Sequence, residues 1–264
     1  MELKRLLKCS IIFVFLYISL YSFVFSATGS YTEDFSDENY KDNSATTANW
    51  DITNQQGILL REPGFAETTG VINWGGGIEA IKYDGSGKWV IVGDGGKINS
   101  YDGSHFVNLS VEAGFGTDNI YTVWHNGSYW MIGGAGGKLK RWNGASTWTD
   151  YSASLQNFSG DVRAIGYKDT PTTYWLVGGT SGSLNSFNGT AWTDLKSQLN
   201  FGTNDVLAVR WNGAYWLIAG KGGKIVKYDG ATTWSDYSSA LATALGGTYD
   251  INTLEWNGTT WLVG

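Results

Sequence analysis

Cysteine, proline and histidine are scarce in this chain of 264 residues, with one, two and two copies respectively. Each scarcity closes a class. A lone cysteine, Cys9, builds no disulfide framework. Two histidines that are not close together, with no cysteine pair beside them, offer no zinc-ligand spacing. Little proline together with 15% aromatics excludes collagen-like and disordered compositions. Basic residues are also in deficit, 18 against 24 acidic ones. Such a surface lacks the basic footprint that nucleic acid or an anionic membrane demands, and neither is expected as a partner.

The N-terminus carries a strong apolar run, Ile11 to Phe25, behind Lys4, Arg5 and Lys8. With small residues at Val24-Phe25-Ser26-Ala27, this pattern predicts a secretory signal peptide over residues 1–26. The rival is an uncleaved membrane anchor. Ser19 and Ser22 interrupt the run, which is already shorter than the ~20 apolar residues of a spanning helix. Cys9 precedes the run instead of closing it, so it is badly placed for lipid attachment. Cleavage leaves 15 basic and 23 acidic residues, no cysteine and no membrane span. The expected location is secreted, extracellular or periplasmic. Residues 27–73 form an acidic, Thr/Asn-rich leader that includes Glu33, Asp34, Asp37, Glu38 and Asp42.

Glycine and tryptophan, by contrast, are abundant, at 37 and 14 residues. Aligning Trp89, Trp130, Trp175, Trp216 and Trp261 exposes a repeat whose spacing alternates between 41 and 45 residues. Each copy divides into four short strand candidates. The first is aliphatic, as in Ile120–Trp124, Val162–Ile165, Val206–Val209 and Ile251–Leu254. An Asn-Gly pair usually follows (Asn126-Gly127, Asn212-Gly213, Asn257-Gly258), the preferred chemistry of a two-residue hairpin. The second strand holds the aligned Trp and ends in a Gly-Gly turn. The third runs to an aromatic before another Asx-Gly pair, and the fourth starts at Phe106, Trp148, Trp192 or Trp234. A looser segment then leads to the next copy.

Four antiparallel strands per 40 to 45 residues predict an all-β fold, a β-propeller over residues 74–264. Its blades fall at about 78–118, 119–161, 162–205 and 206–250, with a partial blade at 251–264. The main rival, a parallel β-helix, uses shorter coils and has no need of three tight turns per repeat. The partial blade reads either as a fragment of a longer protein, the favoured expectation, or as a blade completed by Gly57–Arg61 and Gly70–Trp74.

Asp229-Gly-Ala-Thr-Thr-Trp234 and Asn143-Gly-Ala-Ser-Thr-Trp148 resemble the Asp-box turn of bacterial-neuraminidase-repeat propellers. The preceding Gly-Gly-Lys-Ile turn resembles blades of the photosystem II assembly-factor propellers. The resemblance covers roughly residues 78–264; Ala145 and Ala231 replace the box glycine, and Asn188–Trp192 is one residue short. It implies a propeller, and a sialidase-type hydrolase as an alternative activity. That chemistry uses an arginine cluster, a Tyr nucleophile backed by Glu, and an acid Asp. The repeats hold only Arg141, Arg163 and Arg210, and by column Arg163 and Arg210 lie at opposite ends of the first strand.

Most other motifs have bland explanations. Gly133–Lys138 superficially suggests a phosphate loop, but Leu139 follows the Lys and the turn recurs in every full copy. Lys97, Lys138 and Lys224 share one column, with Ser183 in the remaining full copy, and should point out from one face. Eleven tryptophans occupy aromatic columns, as a core requires; Trp50, Trp74 and Trp124 fall outside them.

One array is more suggestive. Gly77, Asn119, Asp161, Asp205 and Asp250 each precede a first strand and would ring the channel mouth. Either each Asx side chain caps its own backbone, or the ring forms a polar funnel for a cation such as Ca2+ or a hydroxylated ligand. The second column of the first strand varies most visibly: Glu79, Tyr121, Arg163, Leu207, Asn252. Varied chemistry on a repeated frame suits an asymmetric pocket. The expected function is therefore a non-catalytic binding or scaffolding module for a protein or carbohydrate at the propeller face, with no cofactor. A five-bladed lectin is a further alternative, with Trp124 and the lysine column as its best candidates.

Overall fold

Short alternating segments punctuated by Asx-Gly pairs leave the chain one economical course, a succession of antiparallel hairpins. The computed structural model describes residues 75–169 and 174–264 and follows that course. The first sheet is β1 (Ile78–Tyr83), β2 (Trp89–Gly93), β3 (Ile98–Tyr101) and β4 (Phe106–Asn108). The second is β5 (Ile120–His125), β6 (Trp130–Gly134), β7 (Leu139–Trp142) and β8 (Trp148–Asp150). The third is β9 (Val162–Lys168), β10 (Tyr174–Gly179), β11 (Leu184–Phe187) and β12 (Trp192–Asp194). The fourth is β13 (Val206–Trp211), β14 (Trp216–Gly220), β15 (Ile225–Tyr228) and β16 (Trp234–Asp236), and a two-stranded sheet follows, β17 (Leu254–Trp256) with β18 (Trp261–Val263). Every strand pairs antiparallel with its sequence neighbour within the sheet. The expected signal peptide and leader, Trp50, Trp74 and the suggested closing strands at Gly57–Arg61 and Gly70–Trp74 lie outside the described residues.

The connecting segments hold structure that the repeat pattern did not reveal. Three of them coil into short helices, α1 (Ser110–Ala113), α2 (Lys196–Leu199) and α3 (Ser238–Leu245). Each is started by an Asx side chain at the end of the fourth strand. Asn108, Asp194 and Asp236 accept the N–H two residues on, at 2.9, 2.9 and 2.8 Å. Among the described residues no helix is long and apolar enough to cross a membrane. In the last sheet the first strand begins at Leu254 and not at Ile251. The Ile251 N–H turns to the Gly220 carbonyl of the neighbouring sheet at 3.0 Å, while Asn252 and Thr253 both donate to Gly264.

The sheets are too small to hide their own large residues, and the core lies between them. Val90 and Val92 of the first sheet pack with Ile120, Val123 and Trp130 of the second. Met131 and Leu139 pack in turn with Val162, Ile165 and Trp175. Leu176 and Leu184 pack with Val206, Val209 and Trp216, and Ala208 and Leu217 with Ile251 and Leu254. Trp130, Trp142, Trp175 and Trp216 are fully buried, so the aromatic columns are core.

Directional contacts reinforce this stacking. The residue just before the aligned Trp reaches the following sheet each time. Tyr129 and Tyr215 hydroxyls accept the indole N–H of Trp175 and Trp261 at 3.2 and 2.9 Å. Lys88 donates to the Gly144 carbonyl at 2.6 Å.

The lysine column is not uniform, since two of its four members turn to their own connecting segments. Lys138 folds onto its own approach segment, meeting Asp118 at 2.8 Å and the Phe115 carbonyl at 2.9 Å. Ser183 in the same column is buried and accepts the Ser159 N–H at 3.4 Å. The approach segments differ between copies, and they set where each side chain goes.

Candidate functional site

The first strands of all five sheets line one cavity of about 330 Å³. Successive first strands pack side by side, β1 on β5, β5 on β9, β9 on β13 and β13 on β17. The lining takes small or aliphatic residues from the third and fourth columns, such as Ala80, Ala164 and Ile165, and its polar and aromatic groups from two others. One is the second column, contributing Glu79, Tyr121, Arg163, Leu207 and Asn252, and the other is the fifth, contributing Lys82, Trp124, Arg210 and Glu255.

Strict alternation would not turn positions two and five to the same side, since they differ by an odd number. A β-bulge resolves this. The pairing register shifts between Ile78 and Ala80, Ile120 and Thr122, and Val206 and Ala208. The third sheet shifts at the matching place, Gly179 pairing with Val162 and Gly178 with Ala164. Glu79, Tyr121, Arg163 and Leu207 are thus the extra, unpaired residues, and the bulge re-aims them into the cavity.

The Asx array stands beside this bulge but is not a free funnel. The Asn119 Oδ1 accepts the Gly95 N–H at 2.9 Å, and the Asp161 Oδ1 accepts that of Gly136 at 3.1 Å. Asp205 does the same to Ser181 at 2.9 Å and Asp250 to Gly222 at 2.8 Å. Every acceptor belongs to one sheet and every donor to the turn of the sheet before. The side chains therefore clasp neighbouring blades, where capping of their own backbone was one of the expectations. Gly77 in the first copy has no side chain to offer, and its N–H donates to Asp94 at 2.7 Å. Asp161 also pairs with Arg163 and Asp205 with Lys221, each at 2.7 Å. Carboxylate oxygens spent this way face different turns, and among the described residues no three acidic, His or Cys side chains gather for a metal. The Ca2+ expectation finds no converging ligand set.

Burial would raise the Asp205 pKa, but the Lys221 ammonium and the Ser181 N–H outweigh it and hold the carboxyl below its ordinary value. A depressed folded pKa stabilises the fold above the unfolded value of ~4, and the gain is lost as pH falls through the folded one. Asp205→Ala is expected to cost about 1–2 kcal/mol at neutral pH. Asp205→Asn, which keeps an acceptor for Ser181, should cost less. Urea denaturation at pH 7 and pH 3 checks both: the wild-type advantage over the alanine variant should shrink in acid, and an advantage that grows there would contradict the assignment.

Two environments divide the cavity. In the second-column half, the Arg163 guanidinium lies over the Tyr121 ring at 3.8 Å, and burial, aided by Asp161, pushes the Tyr121 phenol above its ordinary pKa. In the fifth-column half, the Trp124 ring carries both the Lys82 ammonium, 3.7 Å from its centroid, and the Arg210 guanidinium at 4.6 Å. Glu255 stands 4.0 Å from the Arg210 Nε. The remaining fifth-column residue is Gly166, where a Cβ would meet Trp216 at 2.8 Å and the Val209 carbonyl at 3.0 Å.

Sequence comparison between copies found the second column and passed over the fifth. The signal was present, since Lys82, Trp124, Gly166, Arg210 and Glu255 differ as much as any column. Arg163 and Arg210, expected to lie apart at opposite ends of the first strand, both line this one cavity, while Arg141 is not among its lining residues. Arg141 lies over Tyr129 and Tyr151, Arg163 over Tyr121, and Arg210 over Trp124.

No family model matches the chain, and no curated protein matches its sequence. Among solved structures it is similar to the WD40 β-propeller domain of Doa1, with a TM-score of 0.55 and 11% identity over 71% of this chain and 62% of that one. It is also similar to the computationally designed Ika8 protein, with a TM-score of 0.50 and 13% identity over 71% of this chain and 55% of that one. The chain thus spans less than two thirds of either structure. At these identities the likeness is one of fold, a β-propeller of four-stranded blades.

Proposed function

We propose that the chain is a non-catalytic binding or scaffolding propeller, acting in a secreted or cell-surface setting, and that its ligand enters the cavity lined by the first strands. One observation carries this reading. Columns that pack between sheets repeat their chemistry, as do the third and fourth columns where they reach the cavity, whereas the second and fifth columns bring acid, base, indole, phenol and amide into the same space. A lining built only to fill space would repeat like the rest of the core. A lectin with one equivalent pocket per blade would likewise repeat its pocket chemistry, and these columns differ in every copy.

The signal-peptide pattern supports the setting, and the Asp-box resemblance contributes turn chemistry to the reading; two arginines, Arg163 and Arg210, line the cavity, each lying over an aromatic ring. Asp229 in such a turn accepts the N–H groups of Ala231, Thr232 and Thr233 at 2.7, 3.0 and 3.1 Å. That use of the carboxylate is structural.

The test is a ligand screen on the full chain by thermal shift, using glycans, peptides and small organic acids, followed by Tyr121→Ala and Asn252→Ala. Hits that lose at least ~tenfold affinity in either variant, a loss of the size expected for one polar contact, support the proposal. Turnover of a glycoside by the wild type, or hits indifferent to every cavity substitution, would sink it.

A further inference from the structure

Within that cavity the fifth-column half has a specific chemical deficit. It holds two cations, Lys82 and Arg210, and a single carboxylate, Glu255. The Arg210 Nη1 donates to the Val209 carbonyl at 2.9 Å. Its Nε is buried and has no hydrogen-bond partner among the described residues, as is true of the Arg163 Nε in the other half, where Asp161 pairs with the Arg163 Nη2 at 2.7 Å. Glu255 does not serve the Arg210 Nε. At 4.0 Å the carboxylate is beyond hydrogen-bond reach, and its side chain is 70% exposed. The Lys82 ammonium rests on the Trp124 ring and has no hydrogen-bond acceptor among the described residues. An indole face attracts a cation but supplies none of the oxygen acceptors that an ammonium's three N–H groups can use.

The Arg210 side chain is partly buried, 30% exposed, so its guanidinium has lost part of its hydration and only part of that loss is made good by the Val209 carbonyl. Nε has no accessible surface, so an entering ligand meets Arg210 at its terminal nitrogens. The two terminal nitrogens of a guanidinium form an end-on fork that matches the two oxygens of a planar carboxylate. One net positive charge suits a monoanion better than a doubly charged phosphate. About three residues along the first strands, or ~10 Å at strand rise, separate this half from the second column. There Glu79, Tyr121, Arg163 and Asn252 offer polar groups to the rest of a ligand.

We propose that the Lys82–Trp124–Arg210 half of the cavity binds the carboxylate of a small monoanionic ligand, the Arg210 fork taking both oxygens and Lys82 adding a third donor. This rests on the ligand-binding reading of the same cavity. Glu255 then acts as a competing carboxylate on the rim, displaced outward as the ligand enters. Burial pulls the Lys82 pKa down, and the charge of Arg210 adds to that, while Glu255 works the other way. A bound carboxylate would reverse the penalty.

Isothermal titration on the full chain tests the proposal with two acid–neutral pairs that separate the sources of the group. One pair is D-glucuronate against D-glucose, and the other is an N-acetylated dipeptide against its C-terminal amide. At least one acid is expected to bind roughly tenfold or more tightly than its neutral partner, as charge-assisted bonds imply. Arg210→Gln should abolish that preference. Glu255→Gln should strengthen it several-fold, a gain that a misfolded variant cannot produce. Equal binding of acid and neutral partner, or a preference that survives Arg210→Gln, would overturn the carboxylate assignment while leaving the binding reading of the cavity intact. If neither pair binds at millimolar concentration and Tyr121→Ala also affects no hit of the broader screen, both fall.

Discussion

Trp216→Ala is expected to destabilise the protein by about 3–5 kcal/mol, the range for emptying a large aromatic site in a core. Trp216 is fully buried between the third and fourth sheets, among Leu176, Val206 and Val209. Its ring also fills the space that a side chain at Gly166 would take, the nearest atom lying 2.8 Å from a Cβ built there. The surroundings have little room to collapse, because two separate sheets would have to close on each other.

Phenylalanine makes a sharper comparison. Among the described residues the buried Trp216 Nε1 has no partner, so Trp216→Phe discards no hydrogen bond seen there and removes an unsatisfied donor. The equivalent Trp175 donates to the Tyr129 hydroxyl at 3.2 Å. Trp175→Phe should therefore cost more than Trp216→Phe, by about 0.5–1.5 kcal/mol. Urea denaturation with an unchanged m-value reads the difference. The reverse order would show that the inter-sheet indole bonds add nothing to stacking.

The second large effect is expected at the bulge. A Cβ on Gly220 would lie 1.8 Å from the Asp205 carbonyl oxygen, and one on Gly179 would lie 2.0 Å from that of Asp161. Backbone torsion is not the constraint at Gly220, whose φ of −178° any residue adopts. What is lacking is space, since the strand that carries the bulge comes this close to its neighbour. Gly220→Ala has to push two backbones apart, and about 3 kcal/mol or more is expected.

Gly213 is the natural control. It has a φ of +97° but nothing within 4 Å of an added Cβ. Gly213→Ala should cost only the torsional penalty, about 1–2 kcal/mol. Thermal and urea midpoints of the two variants give the comparison. Equal costs would mean that the close approach is not what holds glycine at the bulge. Because the bulge aims Leu207 and its equivalents into the cavity, Gly220→Ala should also disturb ligand binding, whereas Gly213→Ala should not.

The blade was legible because its causes are local. Tryptophans at a fixed period, Asx-Gly pairs and alternating aliphatics each act through their immediate neighbours, and a single chain displays them all. The core columns were legible for the same reason. The clasps were harder to see. Asn119, Asp161, Asp205 and Asp250 look like ordinary turn formers, yet each acts on an N–H 24 to 28 residues earlier, in another sheet. No local pattern distinguishes a carboxylate that caps its own turn from one that fastens the next blade. Nor did local pattern separate the loose linkers from the short helices that three of them form.

The amino-acid sequence alone was enough to specify four-stranded antiparallel blades, their hydrophobic faces and the aromatic residues between them, since these follow from side-chain periodicity and turn chemistry. Only the tertiary structure decided which variable residues meet. The bulge breaks strict alternation, so the second and fifth columns face the same cavity and Lys82, Trp124, Arg210 and Glu255 come together from four different blades. Alternation is a property of a strand. Convergence is a property of how separate sheets are packed.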